Sequence, residues 1–88
     1  MLKRLLAAIP MFILAFGGGA FAQTQHWCNE YANQAVISAM QNRSYGCGFT
    51  GLRWSSSYRV HYSWCITVPQ PVSLQERLAR QAGIKSCR

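Results

Sequence analysis

Apolar and polar positions alternate along most of this chain with the periods of short amphipathic helices. Cys28, Tyr31, Ala32, Ala35, Val36, Ala39 and Met40 recur at spacings of three and four, with Asn29, Glu30, Asn33 and Gln34 between them. That repeat describes one buried face of an α-helix. A shorter seam runs through Tyr58, His61, Tyr62 and Cys65. Ser55-Ser56-Ser57 offers N-caps ahead of it, so a helix is expected from about Ser56, and Pro69-Gln70-Pro71 ends it. The stretch from Arg59 to Val68 is also rich in β-branched and aromatic residues, and a strand stays open there as the alternative. A third helix is expected to open at the capping box Ser73-x-x-Glu76, to run through Leu74, Leu78 and Ala82, and to stop at Gly83. Gly46-Cys47-Gly48-Phe49-Thr50-Gly51 reads as a loop, because repeated glycine supplies backbone angles that other residues avoid.

The first residues have a different character. Met1-Leu2-Lys3-Arg4 is short and positive, Leu5 to Phe16 is apolar, and Gly17-Gly18-Gly19 leads into Ala20-Phe21-Ala22. A basic start, an apolar core and a small-x-small end are the three parts of a cleavable export signal. The expected organisation is therefore a signal peptide over residues 1–22 and one small domain over residues 23–88. A permanent anchor would need roughly 20 apolar residues, and Pro10 with the three glycines weakens this run as a lasting helix. No cysteine directly follows the run, so a lipid-modified cysteine at the cleavage site is not expected. Removing 22 of the 88 residues leaves 66, with seven basic side chains against Glu30 and Glu76, a net charge of +5.

A chain this short has little interior. Ordering costs roughly 1.5 kcal/mol per residue, and burial alone only about matches it, so a covalent or metal staple is expected. Four cysteines, Cys28, Cys47, Cys65 and Cys87, all lie beyond the apolar run. An even count in a short exported chain reads as a disulfide framework. Structural zinc sites bring ligands as close pairs, and no two of these cysteines are that close. Four cysteines allow three pairings. Short links between three helices favour an up-down-up arrangement, which puts Cys28 beside Cys65 and Cys47 beside Cys87. The fold class expected is a small all-α, disulfide-stapled domain.

The residues Cys28-x2-Tyr31-Ala32-x2-Ala35-Val36, Cys47-Gly48-x2-Gly51-x2-Trp54, His61-x2-Trp64-Cys65 and a last Cys87 form a pattern across nearly the whole expected domain. It resembles a group of small exported bacterial proteins of unknown function. The resemblance implies a bacterial source, a periplasmic or secreted location, and a structural role for the cysteines and tryptophans. It implies no activity.

The chemistry on offer is limited. His61 and Cys65 suggest a nucleophile pair, but such a pair needs a free thiolate and an orienting third group. With Cys65 oxidised and only two carboxylates in the chain, His61 is expected in the core, bonded to a loop carbonyl or beside Trp54. No catalytic residue, cofactor or metal is expected, and Asn42-Arg43-Ser44, though it matches a glycosylation acceptor, reads as chance. Trp27, Tyr31, Tyr45, Phe49, Trp54, Tyr58, Tyr62 and Trp64 are more aromatics than a minimal three-helix core holds. Trp54 and Trp64 are the stronger candidates for the interior. For a displayed binding surface the best candidates are Arg53, Trp54, Tyr58 and Arg59. The positive charge attracts polyanions at long range or simply keeps the protein soluble. Expected partners are an anionic envelope component, a glycan or a protein, with no dedicated nucleic-acid motif and no transmembrane span once the signal is removed. The function expected is a basic binding module of the bacterial envelope. A cationic membrane-active or toxin-like peptide is the alternative, and it would require a helix with a wide basic face opposite an exposed apolar one.

Overall fold

The computed structural model describes residues 24–88, so the expected export signal lies outside the described residues. Among the described residues there are three α-helices and no strand. The first, α1, occupies residues 24–44; α2 is Tyr58–Cys65 and α3 is Gln70–Cys87, with a single 3-10 turn, Leu52–Trp54, in the α1–α2 connection. The expected all-α class holds, and the strand alternative for the second segment does not.

Two disulfides tie the helices. Cys28 at the start of α1 joins Cys65 at the end of α2, with Cα atoms 5.6 Å apart. Cys47, just beyond α1, joins Cys87 at the end of α3, with Cα atoms 5.7 Å apart. Trp27 near the start of α1 also donates from Nε1 to the Ser73 hydroxyl near the start of α3, at 2.7 Å. Starts meet starts and ends meet ends, so α1 and α3 run parallel while α2 returns between them. The loops closed by the disulfides span 37 and 40 residues, each worth about 4 kcal/mol on the chain-entropy account.

The buried face of α1 is close to the one its periodicity describes. Cys28, Tyr31, Ala32, Ala35 and Ala39 are buried, Val36 is half-buried, and Ser38 takes the interior place expected of Met40, which is exposed. Alanines on that face let neighbouring backbones approach closely, but they bury little area each. The central apolar cluster is correspondingly small: Cys28, Tyr31 and Cys65, flanked by Trp27 and Tyr62.

The end of α1 is set by glycine chemistry. Gly46 has a φ of 65°, its N–H bonds the Arg43 carbonyl, and the Cys47 N–H reaches back to the Asn42 carbonyl at 2.9 Å. This paired closure satisfies orphan carbonyls and needs a left-handed residue at that place. It also delivers Cys47 to its partner. The Asn42 side chain then clamps the loop, donating to the Phe49 carbonyl at 2.8 Å and accepting from the Phe49 N–H at 3.1 Å.

Expectations for the later helices hold only in part. Ser57 caps α2 as foreseen, accepting from the Val60 N–H. The third helix, however, begins at Gln70 rather than at a Ser73 cap, because Pro69 occupies the N-cap and Pro71 suits the first turn. Ser73 instead lies inside α3, donating to the Gln70 carbonyl and accepting from Trp27, and Glu76 is drawn away to Arg53. Gly83 does not stop the helix, which continues to Cys87. The rotation of α3 also differs. Ser73, Arg80 and Ile84 are buried, whereas Leu74 and Leu78 are exposed, Leu78 by 53%. Seven residues bring an α-helix back to nearly the same face, so Ser73 and Arg80 fall in line with the disulfide-bound Cys87, while Leu78, nine residues before it, lies about 180° away.

Gly83 serves a close approach. A Cβ there would meet the Trp54 ring at 3.3 Å and the Phe49 ring at 3.5 Å. Phe49 and Trp54 are stacked, with centroids 4.6 Å apart, and that pair lies on the glycine. Gly83→Ala is expected to be nearly neutral, since about 1 kcal/mol of helix propensity offsets a modest crowding of Trp54. Gly83→Val is expected to lose about 1–3 kcal/mol by prising the ring pair off α3. Guanidinium unfolding with the disulfides intact measures both, and a valine variant as stable as the parent would refute the packing assigned to Trp54.

Candidate functional site

The face at which α2, α3 and the 3-10 turn meet over Tyr31 encloses a cleft of about 270 Å³. Its lining combines buried polar groups with exposed apolar ones. Tyr31, His61 and Arg80 are buried, and Leu52, Val60 and Trp64 are exposed around them, Leu52 by 77%. Arg53 and Glu76 complete the lining. An apolar concavity with a few convergent polar groups is the usual form of a small-ligand site.

Arg80 is the unusual member. Its guanidinium comes from the disulfide-aligned face of α3, and the residue is only 1% exposed. It lies 4.9 Å from the centroid of the Tyr31 ring, and its Nη1 donates to the Tyr31 hydroxyl over a long 3.4 Å. Its Nη2 is buried without a hydrogen-bond partner. Only two acids exist in the chain. Glu30 lies 3.9 Å from His26, and Glu76 is held by Arg53, whose Nε and Nη2 donate to its two carboxylate oxygens at 2.5 and 3.1 Å. No carboxylate is therefore left for Arg80. Burial pushes the Arg80 pKa down, with Tyr31 and Glu76 pulling partly back, yet a guanidinium stays charged in a protein. Tyr31 is no counter-ion either, because burial raises its phenol above the ordinary 10.0 despite the nearby Arg80. A cation over an aromatic face recovers about 2 kcal/mol when desolvated, against several kcal/mol for burying an unpaired charge.

His61 takes the structural place expected of it. Its Nε2 donates to the Ser55 carbonyl at 2.7 Å, which fixes the tautomer and fastens the start of α2 to the preceding loop. Burial holds its pKa below the ordinary 6.5, with the Ser55 bond pulling partly upward. The ring is neutral at neutral pH, and Cys65, held in a disulfide, has no free thiol to act with it as a nucleophile.

The four residues expected as a binding surface do not gather. Arg53 lines the cleft through its pair with Glu76. Trp54 is half-buried in the stack over Gly83. Tyr58 stacks on Tyr62 at 5.8 Å and donates its hydroxyl to the Asn29 side chain. Arg59 is exposed on α2 and is not part of the cleft. Trp64, expected in the core, is 37% exposed, because its ring lies on the cleft side of Tyr31 with centroids 5.7 Å apart. Arg80 was the residue missed. Its signal was the seven-residue spacing to Cys87, read together with the shortage of acids.

No family model matches this chain, and no curated protein or solved structure matches it. Among the described residues no helix is long and apolar enough to cross a membrane, and no cluster of His, Cys, Asp and Glu is suited to a metal ion.

The neutral His61 gives stability a defined pH dependence. The unfolded chain takes up a proton on this ring near pH 6.5, and the folded chain resists it, so the unfolded state binds more protons there. The contribution of His61 is complete above pH 6.5 and declines as pH falls below it, levelling only beneath the lowered folded-state pKa. Melting temperatures across this range are expected to fall more steeply for the parent than for His61→Gln. Parallel curves would show that His61 is not buried neutral.

Proposed function

We propose that the protein is an exported, disulfide-stapled binding module whose ligand occupies the cleft over Tyr31. The observation that carries this reading is Arg80, a buried residue that lines a largely apolar concavity and whose Nη2 has no hydrogen-bond partner. A binding site supplies a reason for such a group, since the missing partner then arrives with the ligand. Export rests on the pattern of residues 1–22 and on two disulfides, which persist in oxidising compartments. A periplasmic or secreted bacterial setting follows the resemblance in the cysteine and tryptophan pattern. Catalysis has little support, because the cleft offers a neutral His61, a carboxylate engaged by Arg53, and no free thiol among the described residues.

One observation favours the second reading, a membrane-active peptide. Leu74, Leu78 and Val72 leave an apolar flank of α3 exposed. The basic face that such a peptide needs is weakened, however, with Arg80 turned inward and Arg77 held 5.6 Å over the Trp27 ring. Liposome leakage separates the two readings, and release at low protein concentration would favour the second.

Mass spectrometry of the exported protein is expected to show cleavage after Ala22 and two intact disulfides. Titrating that protein with the small-molecule fraction of an envelope extract is expected to shift the NMR signals of Tyr31, Trp64 and Arg80. Shifts confined to outlying Arg43 and Arg59, or none, would remove the binding-cleft reading.

A further inference from the structure

The ligand class of this cleft can be read from its charges and donors. We infer that it takes a small monoanion, a carboxylate on a flat apolar body, with the carboxylate on Arg80 and the body against Trp64, Val60 and Leu52. This rests on the cleft being the binding site, and it adds what the cleft selects.

The charge balance sets the valence. Arg53 and Arg80 are positive and Glu76 is negative, and all three line the cleft. His61 is neutral above its lowered pKa. The lining therefore carries one net positive charge, which a monoanion cancels. A dianion would leave excess negative charge beside Glu76 in a half-enclosed site, where like charges repel strongly.

The donors favour a planar acid. Arg80 lines the cleft with its Nη2 unpartnered, and a guanidinium N–H pairs strongly with a carboxylate oxygen. The Tyr31 hydroxyl accepts from Nη1, and as a hydroxyl it also carries a hydrogen that can donate beside the guanidinium. A rival acceptor is close at hand. Glu76 lies four residues before Arg80 on α3, one helical turn away, but its carboxylate is held by two bonds from Arg53. Arg53 thus keeps the chain's own carboxylate off Arg80 and leaves that partner's place to a ligand.

The apolar side sets the body. The cleft of about 270 Å³ has room for roughly nine waters at ~30 Å³ each, which suits one or two rings. The exposed face of Trp64, itself packed on Tyr31, suits offset stacking.

Three probes test this at neutral pH by NMR titration: 2-naphthoate, the uncharged isostere 2-naphthamide, and the dianion phenyl phosphate. The naphthoate is expected to bind in the cleft at least about tenfold more tightly than the amide, with phenyl phosphate the weakest. Arg80→Met is expected to abolish the preference for the acid while melting no lower than the parent, since an unpaired buried charge does not stabilise the fold. Glu76→Gln is expected to tighten naphthoate and to admit phenyl phosphate, because it removes the one negative group of the lining. Equal binding of naphthoate and amide, tightest binding by phenyl phosphate, or a large fall in the melting temperature of Arg80→Met would overturn the proposal. Failure of all three probes while an envelope fraction still shifts Tyr31 and Trp64 would discard the carboxylate and keep the binding cleft. Failure of both would discard both.

Discussion

The covalent link between Cys47 and Cys87 is the constraint on which the rest of this fold turns. Once Cys87 must face the loop beyond α1, the rotation of α3 is determined along its whole length. Positions seven and fourteen residues earlier, Arg80 and Ser73, come to the interior with it. The leucines at 74 and 78 are carried to the outside. A hydrophobic count favours the opposite rotation, since fully burying a leucine is worth about 1.5–3 kcal/mol. These two are already partly covered, so the area forgone is worth less than that for each, and the disulfide alone offsets it at about 4 kcal/mol. Turning α3 by half a turn would also carry Cys87 away from Cys47. The staple therefore overrides the amphipathic pattern.

The same staple needs its loop held in place, and small local devices do this. The left-handed Gly46 closes α1, Asn42 clamps the backbone of Phe49, and Phe49 carries Trp54 onto Gly83. Each device is worth of order 1 kcal/mol, but they act in series between α1 and α3. Across the other half of the molecule, Cys28–Cys65 and the His61–Ser55 bond fasten a helix of only eight residues that would not persist alone. The interior between these ties is mostly small side chains and sulfur, which explains why so many aromatic rings remain partly exposed.

Much of this was legible from residue spacing. The face of α1, the serine cap of α2 and the glycine loop follow local rules that tertiary contacts did not override, and the disulfide pairing follows from three helices joined by short links. The third helix was misread because Leu74, Leu78, Ser73-x-x-Glu76 and Gly83 each obey a local rule that a long-range contact defeats. Arg53 takes Glu76 out of the capping box, Trp54 gives Gly83 a reason other than helix termination, and Cys87 sets the rotation. The cleft was the least legible part. Its residues come from α1, the 3-10 turn, α2 and α3, and none of them is close in sequence to the pair Arg53-Trp54 except Arg53 itself and Leu52. The contrast of seven expected cations with two acids did imply unpaired arginines, and the seven-residue spacing to Cys87 was the one sign that Arg80 is the buried one.

That buried arginine is the point at which the fold departs from stability alone. A methionine or leucine at position 80 would fill similar space beside Tyr31 without the desolvation of a guanidinium, and buried charges replaced by apolar groups are often neutral or stabilising. The disulfide alignment accounts for position 80 facing inward; it does not account for arginine there. Nor does the aromatic contact, which recovers only part of the cost. What distinguishes arginine from those alternatives is a fixed positive charge with a free donor, held beside a neutral His61 and a Glu76 already engaged by Arg53. Two covalent ties give a domain this small a margin within which such a group can persist, so framework and cleft depend on one another. The staples that turn Arg80 inward also let the fold tolerate it unpaired.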